Sequence, residues 1–302
     1  MEYRTFGRTG VRVSALGFGG APAGLSGYLG AWDADATDAQ AAVVGAIRRA
    51  LALGITYFDT ATGYGGGISE ELFGRGLGAD RGRVFLATKT PRSAWDPAGI
   101  RAELEASLRR LGTDYVDLLQ FHGGWYASDE AARILEGGGL ETYERLRDEG
   151  KVRFLGFTAE GPNGAVERLI ASGRFDAMMI GYNLCHQSAG GYRNRELPPE
   201  TAMSLARGAG MGVLAMRALT SGVFQRWLAQ VAPQIGGAVD WDGALLGYAL
   251  SHPQIDVALV GMRTAAEVER NAEIVASGAF RVDMVTVHDG YGGGKTVAVP
   301  GT

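Results

Sequence analysis

The chain has 302 residues, 46% apolar and 21% charged, with a formal net charge of −4. That is enough to bury a large core, and without a basic surface nothing argues for nucleic acid. Its one cysteine, Cys185, excludes an internal disulfide or a cysteine metal cluster, and no His/Asp/Glu spacing reads as a metal site. No apolar run long enough to span a membrane and no leader-like start are visible, so a cytoplasmic protein is expected.

Residues 3–13 read as a hairpin about a Gly7–Gly10 turn, and Ser14 to Gly20 as a buried strand ending in glycines. No helix follows Gly17, Gly19 and Gly20 directly, so this is not a Rossmann fingerprint. A helix over 37–53 follows, with Thr37 and Gln40 at capping-box spacing. The next strand, Ile55 to Phe58, stops on Asp59, and Tyr64 lies beyond a loop of small residues. A helix over 68–78 leads to a strand over 83–88 that stops on Lys89. Asp96 and Pro97 open a helix to Leu111, as N-cap and first helical residue. The strand 115–121 stops on His122, and a long loop follows from Gly123 to Gly139.

Helix 140–149, strand 152–157 ending at Thr158, a helix near 162–171 and strand 176–181 continue the alternation. Then come Tyr182 and Asn183, a helix over 198–209, and strand 212–216 ending at Arg217. An insertion over 218–239 carries a short helix near 224–231. Helix 240–251, strand 257–260 and helix 264–276 close the pattern, before a glycine-rich tail from Arg281. Eight strand-then-helix units predict a single (β/α)8 TIM barrel domain over 1–302, with the N-terminal β-hairpin and long loops at the C-terminal face.

In such a barrel all strand ends face one rim. Asp59, Lys89 and His122 end three consecutive strands there, beside Tyr64. An ammonium beside a phenol favours phenolate, and a carboxylate keeps the ammonium charged. An imidazole can orient a carbonyl oxygen. The set suits general acid catalysis at a carbonyl carbon that receives hydride, which no side chain can supply, so a nicotinamide cofactor is required.

With these pieces the chain resembles the aldo-keto reductases from about Phe6 to Ile274. The matching stretches are GFGGAP at 17–22, DTATGYG at 59–65, SEELFG at 69–74, RLGTDYVDLLQFH at 110–122, GKVRFLGFT at 150–158 and GMRTAAEVERN at 261–271. The resemblance implies an NADP-dependent oxidoreductase, with NAD as the other cofactor. It would reduce aldehydes or ketones, with Tyr64 as acid, Lys89 tuning it, Asp59 pairing with Lys89 and His122 orienting substrate. The same chemistry run in reverse would make an NAD-dependent sugar (aldose) or alcohol dehydrogenase, and a cofactor-binding regulatory subunit with little turnover is the third reading.

The resemblance also implies cofactor contacts. Gly20, Asp59, Thr158, Asn183, Met216 and Arg217 would meet the nicotinamide half. Leu219, Ser221 and Gly222 would meet the pyrophosphate together with Gly261 and Arg263 at the start of the last helix, and Glu267 and Asn271 lie further along that helix. Where the family often has Ser-Asn, Gln and a stacking aromatic, this chain has Thr158-Ala159, Met179 and Met216. Arg263 adds charge for a 2′-phosphate, whereas a Glu267 carboxylate would repel one. Ala21, Tyr28, Trp32, Tyr64, Trp95, His122 and Trp125 are expected to wall the pocket of a small carbonyl or sugar substrate.

Overall fold

The computed structural model describes residues 1–28, 30–187 and 201–284. Eight parallel strands close into a barrel: β1 (Leu16–Gly19), β2 (Tyr57–Asp59), β3 (Phe85–Thr90), β4 (Val116–Phe121), β5 (Val152–Ala159), β6 (Ala177–Gly181), β7 (Gly212–Met216) and β8 (Val257–Gly261). Strand β8 pairs back onto β1, with Leu259 beside Gly17. The outer helices are α1 (Thr37–Ala52), α2 (Ile68–Leu77), α3 (Pro97–Leu111), α4 (Gly139–Asp148), α5 (Gly164–Ala171), α6 (Ala202–Gly208), α7 (Trp241–Ser251) and α8 (Ala265–Ser277). The expected (β/α)8 barrel is therefore the fold, with Tyr3–Thr5 and Arg12–Ser14 pairing antiparallel as the N-terminal hairpin.

The hairpin seals the barrel bottom. Phe6, at its turn, is fully buried, with ring centroids 5.6 Å from Tyr57 and 5.4 Å from Phe85. A side chain on Gly212 would meet the Phe6 ring, which is why β7 begins with glycine. Inside the barrel Tyr57, Phe85, Leu118, Met179, Leu214 and Val257 form one apolar layer, and a larger core lies between strands and helices. With the bottom closed, the open end is the rim where the strands finish.

Several local expectations change. A one-turn helix, Ala21–Gly24, does follow Gly20 directly, with Pro22 in its first turn. The Gly123–Gly139 loop contains a helix, Ser128–Glu136, because the Glu130 carboxylate accepts the Ala127 N–H (2.8 Å) while Ala131 and Ile134 are buried. Helix α1 has no side-chain cap: Gln40 donates instead to the Ala34 carbonyl (3.2 Å), so the Thr37 capping box does not form. At α8 Thr264 and Glu267 have the same spacing, and there the capping box forms. Strand β3 runs through Lys89 to Thr90 rather than stopping before it. Helix α6 starts at Ala202; positions 198–200 and the tail from 285 lie outside the described residues.

Candidate active site

Asp59 is the last residue of β2 and is buried, as is Lys89 on β3. Lys89 Nζ pairs with Asp59 Oδ1, and donates to the Thr60 carbonyl (2.8 Å) and to Tyr64 Oη (3.1 Å). An ammonium has three protons, so all are used. The second oxygen of Asp59 accepts from Gln120 Nε2 on β4 (2.9 Å). Tyr64, whose Oη accepts from Lys89, lines the cavity at the barrel mouth. His122 follows β4 directly, its backbone N–H on the Thr90 carbonyl (2.9 Å). Its ring stands edge-on to Tyr64, centroids 5.6 Å apart at 90°.

The electrostatics assign forms to each group. Burial pushes the Tyr64 phenol above its ordinary value, more than the Lys89 charge pulls it down. This reverses the sign expected from an ammonium neighbour alone, and favours the neutral phenol at Tyr64. Burial pulls Lys89 down, but Asp59 and Tyr64 outweigh it and the ammonium is held charged. Burial pushes Asp59 up against the pull of Lys89. His122 is pushed down to about 3, by burial first and then by Lys89 and Arg92, so it is neutral.

These groups open on a cavity of about 460 Å³ at the barrel mouth. Gly20, Ala21 and Tyr28 line it from the β1 side, and Thr158, Glu160 and Met179 from β5 and β6. Met216 lines it at the end of β7, followed by Arg217, Leu219, Ser221 and Gly222, and Gly261 at the end of β8, followed by Arg263. Arg226 and Gln225, which the sequence did not single out, join them from the insertion helix Val223–Val231. The β7–β8 side thus holds hydroxyl and guanidinium donors and one carboxylate, Asp242, which accepts from Gln225 Nε2 (2.8 Å), with Thr220, Ser221 and Gly222 all at positive φ (52°, 53° and 68°). That donor set suits the phosphates of a dinucleotide, and the thioethers of Met179 and Met216 leave the floor apolar enough for a ring.

Other expected positions lie elsewhere. Trp95 is buried in the core, stacked on Tyr126 with its indole N–H on the Thr90 carbonyl (3.2 Å), so it is not a pocket wall. Trp32 lies under the Arg263 guanidinium (4.7 Å), and Trp125 is 60% exposed; neither is part of the cavity wall. The Asn183 amide donates to the Arg217 carbonyl (3.0 Å) and accepts from the Cys185 N–H (2.8 Å), bracing the loop rather than facing the cavity. Asn271 is buried in α8, also outside the wall. Glu267 turns back on its own helix end, accepting from the Arg263 and Thr264 N–H groups (2.6 and 3.0 Å). Gln120 was legible in principle: it lies two residues before His122, on the same strand face.

A parallel barrel with a carboxylate, ammonium, phenol and imidazole at its rim suits an oxidoreductase. The Aldo/keto reductase family profile matches residues 15–242, and the chain belongs to that family. It is accordingly an NAD(P)-dependent oxidoreductase. It is 29% identical to L-galactose dehydrogenase of Arabidopsis thaliana over 91% of this chain and 88% of that one. It is 38% identical to the aldo-keto reductase YhdN of Bacillus subtilis, over 52% of this chain and 46% of that one. An aldo-keto reductase from Klebsiella pneumoniae, solved in complex with NADPH, shares the fold with a TM-score of 0.74 at 23% identity, over 96% and 94% of the two chains. Among the described residues no helix is long and apolar enough to cross a membrane.

Proposed function

We propose that the protein reduces the carbonyl of an aldehyde or ketone, with Tyr64 as the proton donor. The observation that carries this is the arrangement at Tyr64 Oη: it accepts from Lys89 and lies on the cavity wall, which leaves its own O–H as a donor for a ligand oxygen. A bound nicotinamide supplies the hydride. As charge grows on the carbonyl oxygen, Tyr64 gives up its proton, and the ammonium of Lys89 stabilises the phenolate left behind. Asp59, fixed by Gln120, keeps that ammonium in place. His122, uncharged, orients the oxygen without competing for the proton.

The cofactor we propose is NADP. Arg226 and Arg263 on the β7–β8 side support it, and the Klebsiella pneumoniae protein of the same fold was solved with NADPH. A second reading is favoured by the likeness to L-galactose dehydrogenase over most of the chain: the same residues run in reverse on a sugar hydroxyl, Tyr64 as phenolate taking the proton. The test is Tyr64→Phe, assayed with aromatic aldehydes, methylglyoxal and free aldoses. The variant should bind NADPH as before and lose about 10²- to 10⁴-fold in kcat. Reduction at the wild-type rate would refute the assignment.

A further inference from the structure

Two charged residues on the cavity wall have no part in the hydride and proton steps. Glu160 follows β5 and Arg217 follows β7. They pair in a fork: Arg217 Nε donates to Glu160 Oε2 (2.8 Å) and Nη2 to Oε1 (2.7 Å). Both line the cavity that holds Tyr64 and His122. The pair is anchored at its backbone, since the Glu160 N–H donates to the Gly124 carbonyl (3.0 Å) and the Arg217 carbonyl accepts from Asn183 Nδ2 (3.0 Å).

Stability does not account for it. The side chains are 48% and 28% exposed, and ion pairs that wet contribute little to folding. Arg217 also sits at φ 62°, a left-handed conformation that glycine would adopt without strain. Such strain persists where a side chain is needed at that place. The fork also leaves bonding capacity unspent. Three of the five guanidinium protons lie outside it, and each carboxylate oxygen keeps a lone pair.

The pair is therefore a neutral, forked row of donors and acceptors facing the cavity, with Tyr28 on another part of the wall. A hydroxyl both donates and accepts, so adjacent hydroxyls match such a row. A carboxylate drawn to Arg217 would meet Glu160 beside it. An apolar substrate would strip water from both charges and return nothing. We propose that Glu160 and Arg217 form the substrate-recognition element of this cavity, selecting a neutral polyhydroxylated carbonyl compound, an aldose or its cyclic form. This rests on the oxidoreductase reading above and names its substrate class.

The experiment compares kcat/KM for free aldoses, with NADP⁺ or NADPH, against 4-nitrobenzaldehyde with NADPH, in wild type, Glu160→Gln and Arg217→Met. The wild type should turn over an aldose. In both variants the aldose should lose at least tenfold more kcat/KM than the benzaldehyde, mostly through KM. Arg217→Gly relieves the backbone and removes the side chain; it should lose the same selectivity without a lower Tm. Equal losses on both substrates would overturn the proposal. So would a variant whose main change is weaker NADPH binding, read from protein fluorescence, because Arg217 would then serve the cofactor. A wild type active on benzaldehyde but not on any aldose sinks this inference alone. One inactive on every carbonyl and alcohol, yet binding NADPH, sinks the oxidoreductase reading beneath it.

Discussion

His122 carries a pH signature that can be measured apart from turnover. In the fold it is pushed down to about 3, against 6.5 for a free imidazole, chiefly by burial. Between these values the unfolded chain binds a proton that the folded one refuses. Stability is therefore complete above about pH 6.5 and falls as the pH drops toward 3, by up to ~1.4 kcal/mol per pH unit. In urea titrations at pH values from neutral to mildly acid, His122→Asn should fall less steeply than wild type. Identical slopes would mean that the imidazole is charged in the fold. The rate of reduction should show no break near neutrality, and should fall only above the ordinary phenol range, since burial raises Tyr64. Asp59, Lys89 and His122 were legible because apolar runs end on them. The sign of the Tyr64 shift was not, because depth of burial is a tertiary quantity. Trp95 misled for the same reason: an aromatic after a strand reads alike whether it turns to the pocket or, as here, to Phe121 and Tyr126.

Between α2 and α3 lies a clamp that holds the loop bearing Tyr64. Glu70 is fully buried; it accepts from Thr88 Oγ1 (2.6 Å) and from Arg110 Nε (2.7 Å). Arg110 in turn donates to Thr62 Oγ1 (3.1 Å), two residues before Tyr64. Gly67, at φ 108°, packs on the Arg110 side chain where a Cβ would come within 2.5 Å of it. Removing one partner strands the other, which costs about 3–5 kcal/mol, whereas replacing both with apolar groups leaves no stranded charge. Glu70→Leu and Arg110→Met should each destabilise strongly in urea, and the double variant should be more stable than their summed losses predict. Additive losses would show that the two side chains are not coupled. The stretch SEELFG at 69–74 announced a helix but not this partner 40 residues away. Capping boxes show the same limit. Thr37 and Thr264 head equally good patterns, yet only the second forms, because Gln40 finds the Ala34 carbonyl instead.

The barrel as a whole was readable because each strand–helix unit leaves its own periodic trace, and closure follows from eight such units on one parallel sheet. What the whole chain does with a ligand depends on contacts between units, which leave no such trace. The cavity draws its walls from β1 through β8, so a dinucleotide seated there would tie together both halves of the barrel. A ligand that binds only the folded state at about 100 times its Kd adds ~2.7 kcal/mol, worth roughly 5–10 °C in a chain somewhat under this size. At equal concentration NADPH should raise the Tm more than NADH does. The Glu267 charge is expected to narrow that difference, although its side chain is not on the cavity wall. Its carboxylate takes the Arg263 and Thr264 N–H groups at the start of α8, where a helix end favours an anion. Glu267→Gln keeps an oxygen to accept those bonds while removing the charge, so it should widen the gap in favour of NADPH. A larger Tm rise with NADH in the wild type would make NAD the cofactor. The Gln variant would then show whether the Glu267 charge is the reason, by restoring the response to NADPH.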